Sequence, residues 1–80
     1  MGEAPLDNQL RVARARCGVT QAELAEAIGV TRKTVNSIEN GRYVPSTRLA
    51  LLLARELDAT VEELFQLPGR SPEPGDPGEA

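Results

Sequence analysis

Apolar residues recur at helical spacing in five short blocks, and hydroxyl residues, glycine or proline separate one block from the next. Leu10, Ala13 and Cys17 fall at i, i+3 and i+7. They predict a first helix over residues 8–17 with Asp7 as its N-cap and Cys17 as a small core filler on the inward stripe. Gly18 ends that block, because glycine enters the left-handed region without a Cβ clash. Thr20 and Glu23 have the spacing of a capping box and open a second helix over 21–28, with Leu24 and Ile28 inward and Ala25 small at the crossing. Gly29 is placed in a tight turn. Thr31 caps a third helix over 32–39, where Val35 and Ile38 face inward and Asn40-Gly41 stops the run. Pro45 blocks continuation, and Ser46 caps a fourth helix over 47–57 with Leu49, Leu53 and Leu57 at i, i+4 and i+8. Thr60 and Glu63 repeat the capping-box spacing and open a fifth helix over 61–66, before Pro68-Gly69 closes the pattern.

No block shows strand-like alternation and no segment repeats, so the expected class is all-α. The expected organisation is a flexible leader over 1–6, one compact five-helix domain over 7–68 and a disordered tail over 69–80. The tail, GRSPEPGDPGEA, is acidic, rich in Pro and Gly, and without apolar periodicity. At 80 residues there is room for one small core and for no separate sensor or catalytic domain. Tyr43 and Phe65 are the only aromatics, so that core must be aliphatic.

Candidate chemistry narrows the picture mainly by exclusion. There is no histidine, hence neither the commonest general base nor the commonest metal ligand. A single cysteine allows no internal disulfide and no thiolate zinc cluster. Glu62 and Glu63 are adjacent in a helix and diverge by about 100°, as a solvated face rather than a paired acid and base. The residues therefore point to no enzyme, no metal and no cofactor. The N-terminus lacks the basic and apolar regions of a secretory signal, and no run approaches the roughly 20 apolar residues of a membrane span. A cytoplasmic location, with no membrane partner, is expected.

Net charge is -3, which taken whole opposes a polyanionic partner. The distribution favours one. Up to Arg55 eight Lys/Arg face five acids, a net of +3, whereas from Glu56 onward one Arg faces seven acids, a net of -6. Local potential steers a partner more than total charge. The second and third blocks, Thr20 to Arg42, read as two helices about a tight turn, a helix-turn-helix. One α-helix fits the DNA major groove, and a reading helix needs polar donors outward and apolar anchors inward. Arg32 and Lys33 stand in the first turn of helix three, where both can reach guanine O6 and N7; Asn36 and Ser37 follow one turn later. Thr20 and Gln21 sit at a helix N-terminus, which favours a phosphate, and Arg42 and Tyr43 follow the reading helix within reach of backbone oxygens.

From Asn8 to Phe65 the chain resembles the phage-repressor (lambda-repressor-like, XRE) type of helix-turn-helix regulator. The resemblance is carried by Gly18-Val19-Thr20-Gln21, Leu24-Ala25, Ile28-Gly29-Val30-Thr31, Val35 and Ile38-Glu39-Asn40-Gly41-Arg42, with Pro45-Ser46 and Leu64-Phe65. It implies double-stranded DNA as partner. It makes Arg32, Lys33, Asn36 and Ser37 the base-reading positions. The backbone-contacting set it implies is Thr20, Gln21, Thr31, Thr34, Asn40, Arg42 and Tyr43. It also implies an ion pair between Arg14 and Glu39 that ties helix one to the reading helix.

One position departs from similar sequences, in which position 52 is often polar; here it is Leu52. Leu51, Leu52 and Phe65 then stand either as core or as a homodimer surface. The expected function is a homodimeric repressor reading an inverted repeat. The alternatives are an antitoxin whose C-terminal half holds a protein partner, and an interaction module of the same fold that no longer binds DNA.

Overall fold

The computed structural model of the chain describes residues 6–67. The leader expected over 1–6 is therefore described only at Leu6, and Pro68, Gly69 and the tail expected over 69–80 lie outside the described residues. Five helices follow one another: α1 (Leu10–Cys17), α2 (Gln21–Ile28), α3 (Arg32–Glu39), α4 (Thr47–Glu56) and α5 (Val61–Leu64). None of them is long and apolar enough to cross a membrane.

Four of the starts follow from local hydrogen bonding. Thr20, Thr31, Ser46 and Thr60 each adopt extended backbone and accept from the amide three residues on. In α2 and α5 the box is reciprocal, with Glu23 and Glu63 accepting from the amides of Thr20 and Thr60, both at 2.9 Å. Gly29 lies at φ +80 and closes α2 in the left-handed region, so the chain reverses within three residues and α3 begins at once.

The two ends of the domain depart from the expected all-helical run. Asp7–Asn8 (β1) is extended and pairs antiparallel with Phe65–Gln66 (β2), with Asp7 opposite Gln66 and Asn8 opposite Phe65. Helix one thus starts at Leu10 rather than residue 8, and Asp7 is not its cap. The competing bonds explain this. The Asn8 side chain accepts from the Leu10 amide at 3.0 Å, and its Nδ2 donates to the Ile38 carbonyl at 3.0 Å, which holds Asn8 out of the helix. Gln9 donates to the Leu64 carbonyl at 2.8 Å and continues the ribbon. Helix five correspondingly ends at Leu64 rather than 66, because Phe65 turns to φ -132, ψ 137 to form β2. Helix four ends one residue early, at Glu56. Leu57 is its C-cap, and Asp58 follows in the left-handed region at φ 54.

Leu10, Leu24, Val35, Ile38, Leu53, Leu57 and Leu64 are fully buried, one or two from each helix or its cap. Ala25 is buried where α2 crosses its neighbours, as its size permits. Cys17 is not a core filler: it is exposed, and its Sγ donates to the Leu57 carbonyl at 3.4 Å. Its angle around α1 matches Leu10, but it stands two turns further on, where the helix has run past the core. Leu52 and Phe65 are half-buried and pack on the core, whereas Leu51 on the outer side of α4 is exposed.

Leu53→Ala should cost about 2–5 kcal/mol through lost burial and the cavity left behind. Leu51→Ala should stay within about 0.5 kcal/mol. Urea unfolding followed by circular dichroism separates the two; equal losses would place Leu51 in the core.

Candidate nucleic-acid interface

Short-range hydrogen bonds tie α2, the turn and α3 together. The Val30 amide donates to the Ala25 carbonyl at 3.0 Å across Gly29, and Thr31 caps α3 through the Thr34 amide at 3.1 Å. Val35 and Ile38, both buried, anchor α3 from beneath. The other face of α3 is left to solvent, with Arg32, Lys33 and Asn36 exposed and Thr34 and Ser37 half-buried at its flank.

That face divides into two rows. Lys33, Thr34 and Ser37 line an open polar groove with Thr31, Arg42 and Tyr43. This groove gathers six of the residues singled out from the sequence. Arg32, Asn36 and Asn40 follow one another at i, i+4 and i+8 and form a second row. Within it Asn40 Nδ2 donates to Asn36 Oδ1 at 3.1 Å and to the Asn36 carbonyl at 3.0 Å. The Thr31 and Thr34 hydroxyls lie 3.0 Å apart. The Thr20 hydroxyl accepts from the Glu23 amide at 3.0 Å as the N-cap of α2. The Thr20 hydroxyl accepts within its cap and keeps its own proton to donate, and Asn36 keeps its amide N–H groups, whereas Asn40 spends both Nδ2 protons on Asn36. Leu51 and Phe65 line a separate apolar groove; Leu52 is not among its lining residues.

The only acid of α3 is turned away from the exposed face. The Glu39 side chain has no solvent exposure, and four donors converge on it. Arg14 Nε donates to Oε2 at 2.7 Å and Arg14 Nη2 to Oε1 at 3.3 Å. Gln21 Nε2 donates to Oε1 at 2.9 Å, and Arg11 Nε reaches Oε1 at 3.4 Å. Arg14 Nη1 also donates to the Val19 carbonyl at 3.1 Å, which fixes the guanidinium beneath the α1–α2 turn. Burial alone would raise the Glu39 pKa. The hydrogen bonds from Arg14 and Gln21, with the charges of Arg14 and Arg11, outweigh it and hold the carboxyl below its ordinary value. The exposed surface of α3 and the loop after it therefore keeps Arg32, Lys33 and Arg42 with no neighbouring acid of its own.

Gln21, expected on a phosphate, also bonds to Glu39, and Arg11 and Asn8 join this junction although no expectation placed them there. Arg11 was findable, since it stands three residues before Arg14 on the same side of α1. Asn8 gave no such signal: its partners are backbone groups thirty residues away.

Arg14→Ala should cost about 3–5 kcal/mol at neutral pH, because it strands a buried carboxylate. Arg11, with 65% of its side chain exposed, should contribute under about 1 kcal/mol. A depressed folded pKa stabilises above the unfolded value and is lost as pH falls through the folded one. The Glu39 contribution should thus be complete above about pH 5 and decline below the ordinary glutamate value of about 4.3. Urea titrations of wild type and Glu39→Gln from pH 7 to pH 3 should converge at the acid end; a constant gap would contradict this account.

The helix-turn-helix family profile matches residues 10–64. An uncharacterized HTH-type transcriptional regulator of Archaeoglobus fulgidus is 47% identical over 57 residues, covering 71% of this chain and 81% of its own. The regulator YgzD of Bacillus subtilis is 44% identical over 62 residues, covering 78% and 94%. Among solved structures, the restriction-modification controller protein C.AhdI of Aeromonas hydrophila superposes with a TM-score of 0.63 at 35% identity, over 68% of this chain and 78% of that one. The clp gene regulator ClgR of Corynebacterium glutamicum gives a TM-score of 0.63 at 40% identity; it covers 65% of this chain, which spans 55% of ClgR. With α2, the Gly29 turn and α3 in the geometry described, the chain belongs to the helix-turn-helix family of XRE-type, DNA-binding transcriptional regulators.

Proposed function

We propose that the protein is a sequence-specific, homodimeric transcriptional repressor that reads an inverted repeat with α3 in the major groove. The observation that carries this reading is the exposed face of α3. Arg32, Lys33 and Asn36 are exposed on it, while the helix's one carboxylate is buried and neutralised by Arg14. Arg32 and Lys33 are the base readers of the first turn, with Asn36 and Ser37 behind them. Lys33, Thr31, Thr34, Ser37, Arg42 and Tyr43 form a groove of suitable chemistry for a sugar-phosphate strand running past α3. Thr20, Gln21 and Asn40 complete the backbone contacts. Phosphate neutralisation makes the affinity fall with salt at a slope of roughly -0.9 per phosphate engaged.

Homodimerisation is supported by the apolar groove between α4 and α5, with a volume of about 480 Å³ and lined by Leu6, Pro45, Ala50, Leu51, Val61, Phe65 and Leu67, with Thr47 and Gln66. Leu51 and Leu67 stand 56% and 76% exposed beside it. Arg48 and Arg55 stand three residues before and four after Leu51, on its side of α4, and Glu62 follows Val61 on α5, so the two helices offer opposite charges beside the groove residues. A twofold arrangement sets each charge against its complement in the second copy. Two reading helices about 34 Å apart then meet successive turns of one face of the duplex.

In vitro selection from random duplexes by the purified protein should enrich an inverted repeat, and Arg32→Ala with Lys33→Ala should abolish the enrichment. Retention of operator binding and repression by that double variant would remove α3 from the groove. Leu51→Glu should leave the fold intact and shift the protein to monomer in sedimentation equilibrium; an unchanged dimer would place the interface elsewhere.

A further inference from the structure

We infer that Glu39 is a positioning residue for DNA contact. Its carboxylate fixes the side-chain amide of Gln21 so that Nε2–H, rather than the amide oxygen, is available to a phosphate at the N-terminus of α2. The inference rests on the DNA-contacting role proposed above for Gln21.

The geometry begins with an asymmetry of the two groups. An ionised carboxylate accepts only, and a glutamine amide has one donating and one accepting end. Gln21 Nε2 lies 2.9 Å from Glu39 Oε1. A flip of the amide would set its oxygen against the carboxylate, two acceptors with no proton between them. Glu39 therefore selects one of the two amide orientations. Its own position is over-determined by Arg14 at 2.7 Å, so the carboxylate does not follow the amide. The nitrogen held in this way keeps a second proton. Gln21 is the first residue of α2, half-buried at its entry, and the Thr20 amide beside it is occupied by Glu23 at 2.9 Å. A phosphate arriving there meets a side-chain N–H beside the first free amides of the helix, all donors. With the amide flipped it would meet a carbonyl oxygen and be repelled. The charge of Glu39 also stays away from the phosphate, because Arg14 neutralises it on the inner side and Arg11 caps it from the outer.

The device ties DNA contact to the register of the fold. Glu39 is the last residue of α3, Gln21 the first of α2 and Arg14 belongs to α1. A phosphate clamp on α2 is thus aligned from the far end of the helix proposed to read bases.

The test is a double-mutant cycle on affinity for the duplex that the wild-type protein selects, at fixed salt, with folding checked by circular dichroism. Gln21→Ala should weaken binding about tenfold, the value of one hydrogen bond to a charged group. Glu39→Gln keeps the shape but can accept or donate, so orientation is no longer selected, and it should weaken binding by a similar factor. The double variant should be no weaker than Gln21→Ala alone. Losses that multiply, to about a hundredfold, would show that Glu39 acts only through the fold and would overturn the inference. An unaffected Glu39→Gln, or an unaffected Gln21→Ala, would overturn it as well. If the wild-type protein enriches no duplex, the DNA-reading proposal falls first. If it binds and the losses multiply, only the positioning role falls. Should Glu39→Gln not fold, the wild-type protein still decides. In a nitrogen-proton correlation spectrum the two Gln21 Nε2 protons should respond unequally to added duplex, the one bonded to Glu39 held and the other moving. Equal movement of both protons, or none, would contradict the inference.

Discussion

A carboxylate without solvent access is tolerable only where donors replace the water it has lost, and Glu39 draws those donors from two other helices. Arg14 comes from α1, Gln21 from the start of α2, and Glu39 itself closes α3. The first three helices meet at this one group. Just outside it, Asn8 donates to the Ile38 carbonyl at 3.0 Å and to the Glu39 carbonyl at 3.4 Å, which brings the chain entering α1 into the same junction. The aliphatic core beneath supplies most of the burial, but apolar contacts have no direction. The carboxylate and its donors do, and they set the angle at which α3 is presented.

This arrangement also resolves the electrostatic conflict in the chain. An overall charge of -3 argues against a polyanionic partner. What a duplex meets is local, however. Glu39 is consumed inside, and Glu23 is taken up as the reciprocal half of a capping box. The face of α3 and the loop after it then present Arg32, Lys33 and Arg42, while the acids of α5 belong to the other half of the domain. One buried residue thus serves both as a brace and as a means of keeping negative charge off the exposed face of α3.

Much of the candidate site was legible from the amino-acid order because it depends on neighbours along the chain. Caps at Thr20, Thr31, Ser46 and Thr60 and the reversal at Gly29 rest on bonds between residues three to five apart, and the structure has each of them. The outward row of α3 follows from the inward pair Val35 and Ile38 by helical geometry alone. What escaped was of another kind. Asp7 is a good cap in isolation, but Asn8 found a carbonyl of α3 and Phe65 found Asn8, so a two-residue ribbon replaced the ends of two helices. Cys17 kept the right angle on α1 at a height where the core had ended.

The amino-acid order by itself determined the five helices, their inner faces, the turn between α2 and α3 and the residues left outward on α3. Each of these follows from propensity, capping and a 3.6-residue period, which act over a few residues. Only the tertiary structure decided that Gln21 bonds to Glu39, that Arg11 joins Arg14 there, that Leu52 and Phe65 pack inward while Leu51 does not, and that the chain ends pair as strands. Those outcomes are choices among partners far apart in sequence. Each was made by whichever contact buried more apolar surface, or left fewer polar groups unmatched, once the helices had met. The helix-turn-helix from Thr20 to Arg42 is thus written locally, and its orientation is held by a carboxylate whose donors no local rule could have assembled.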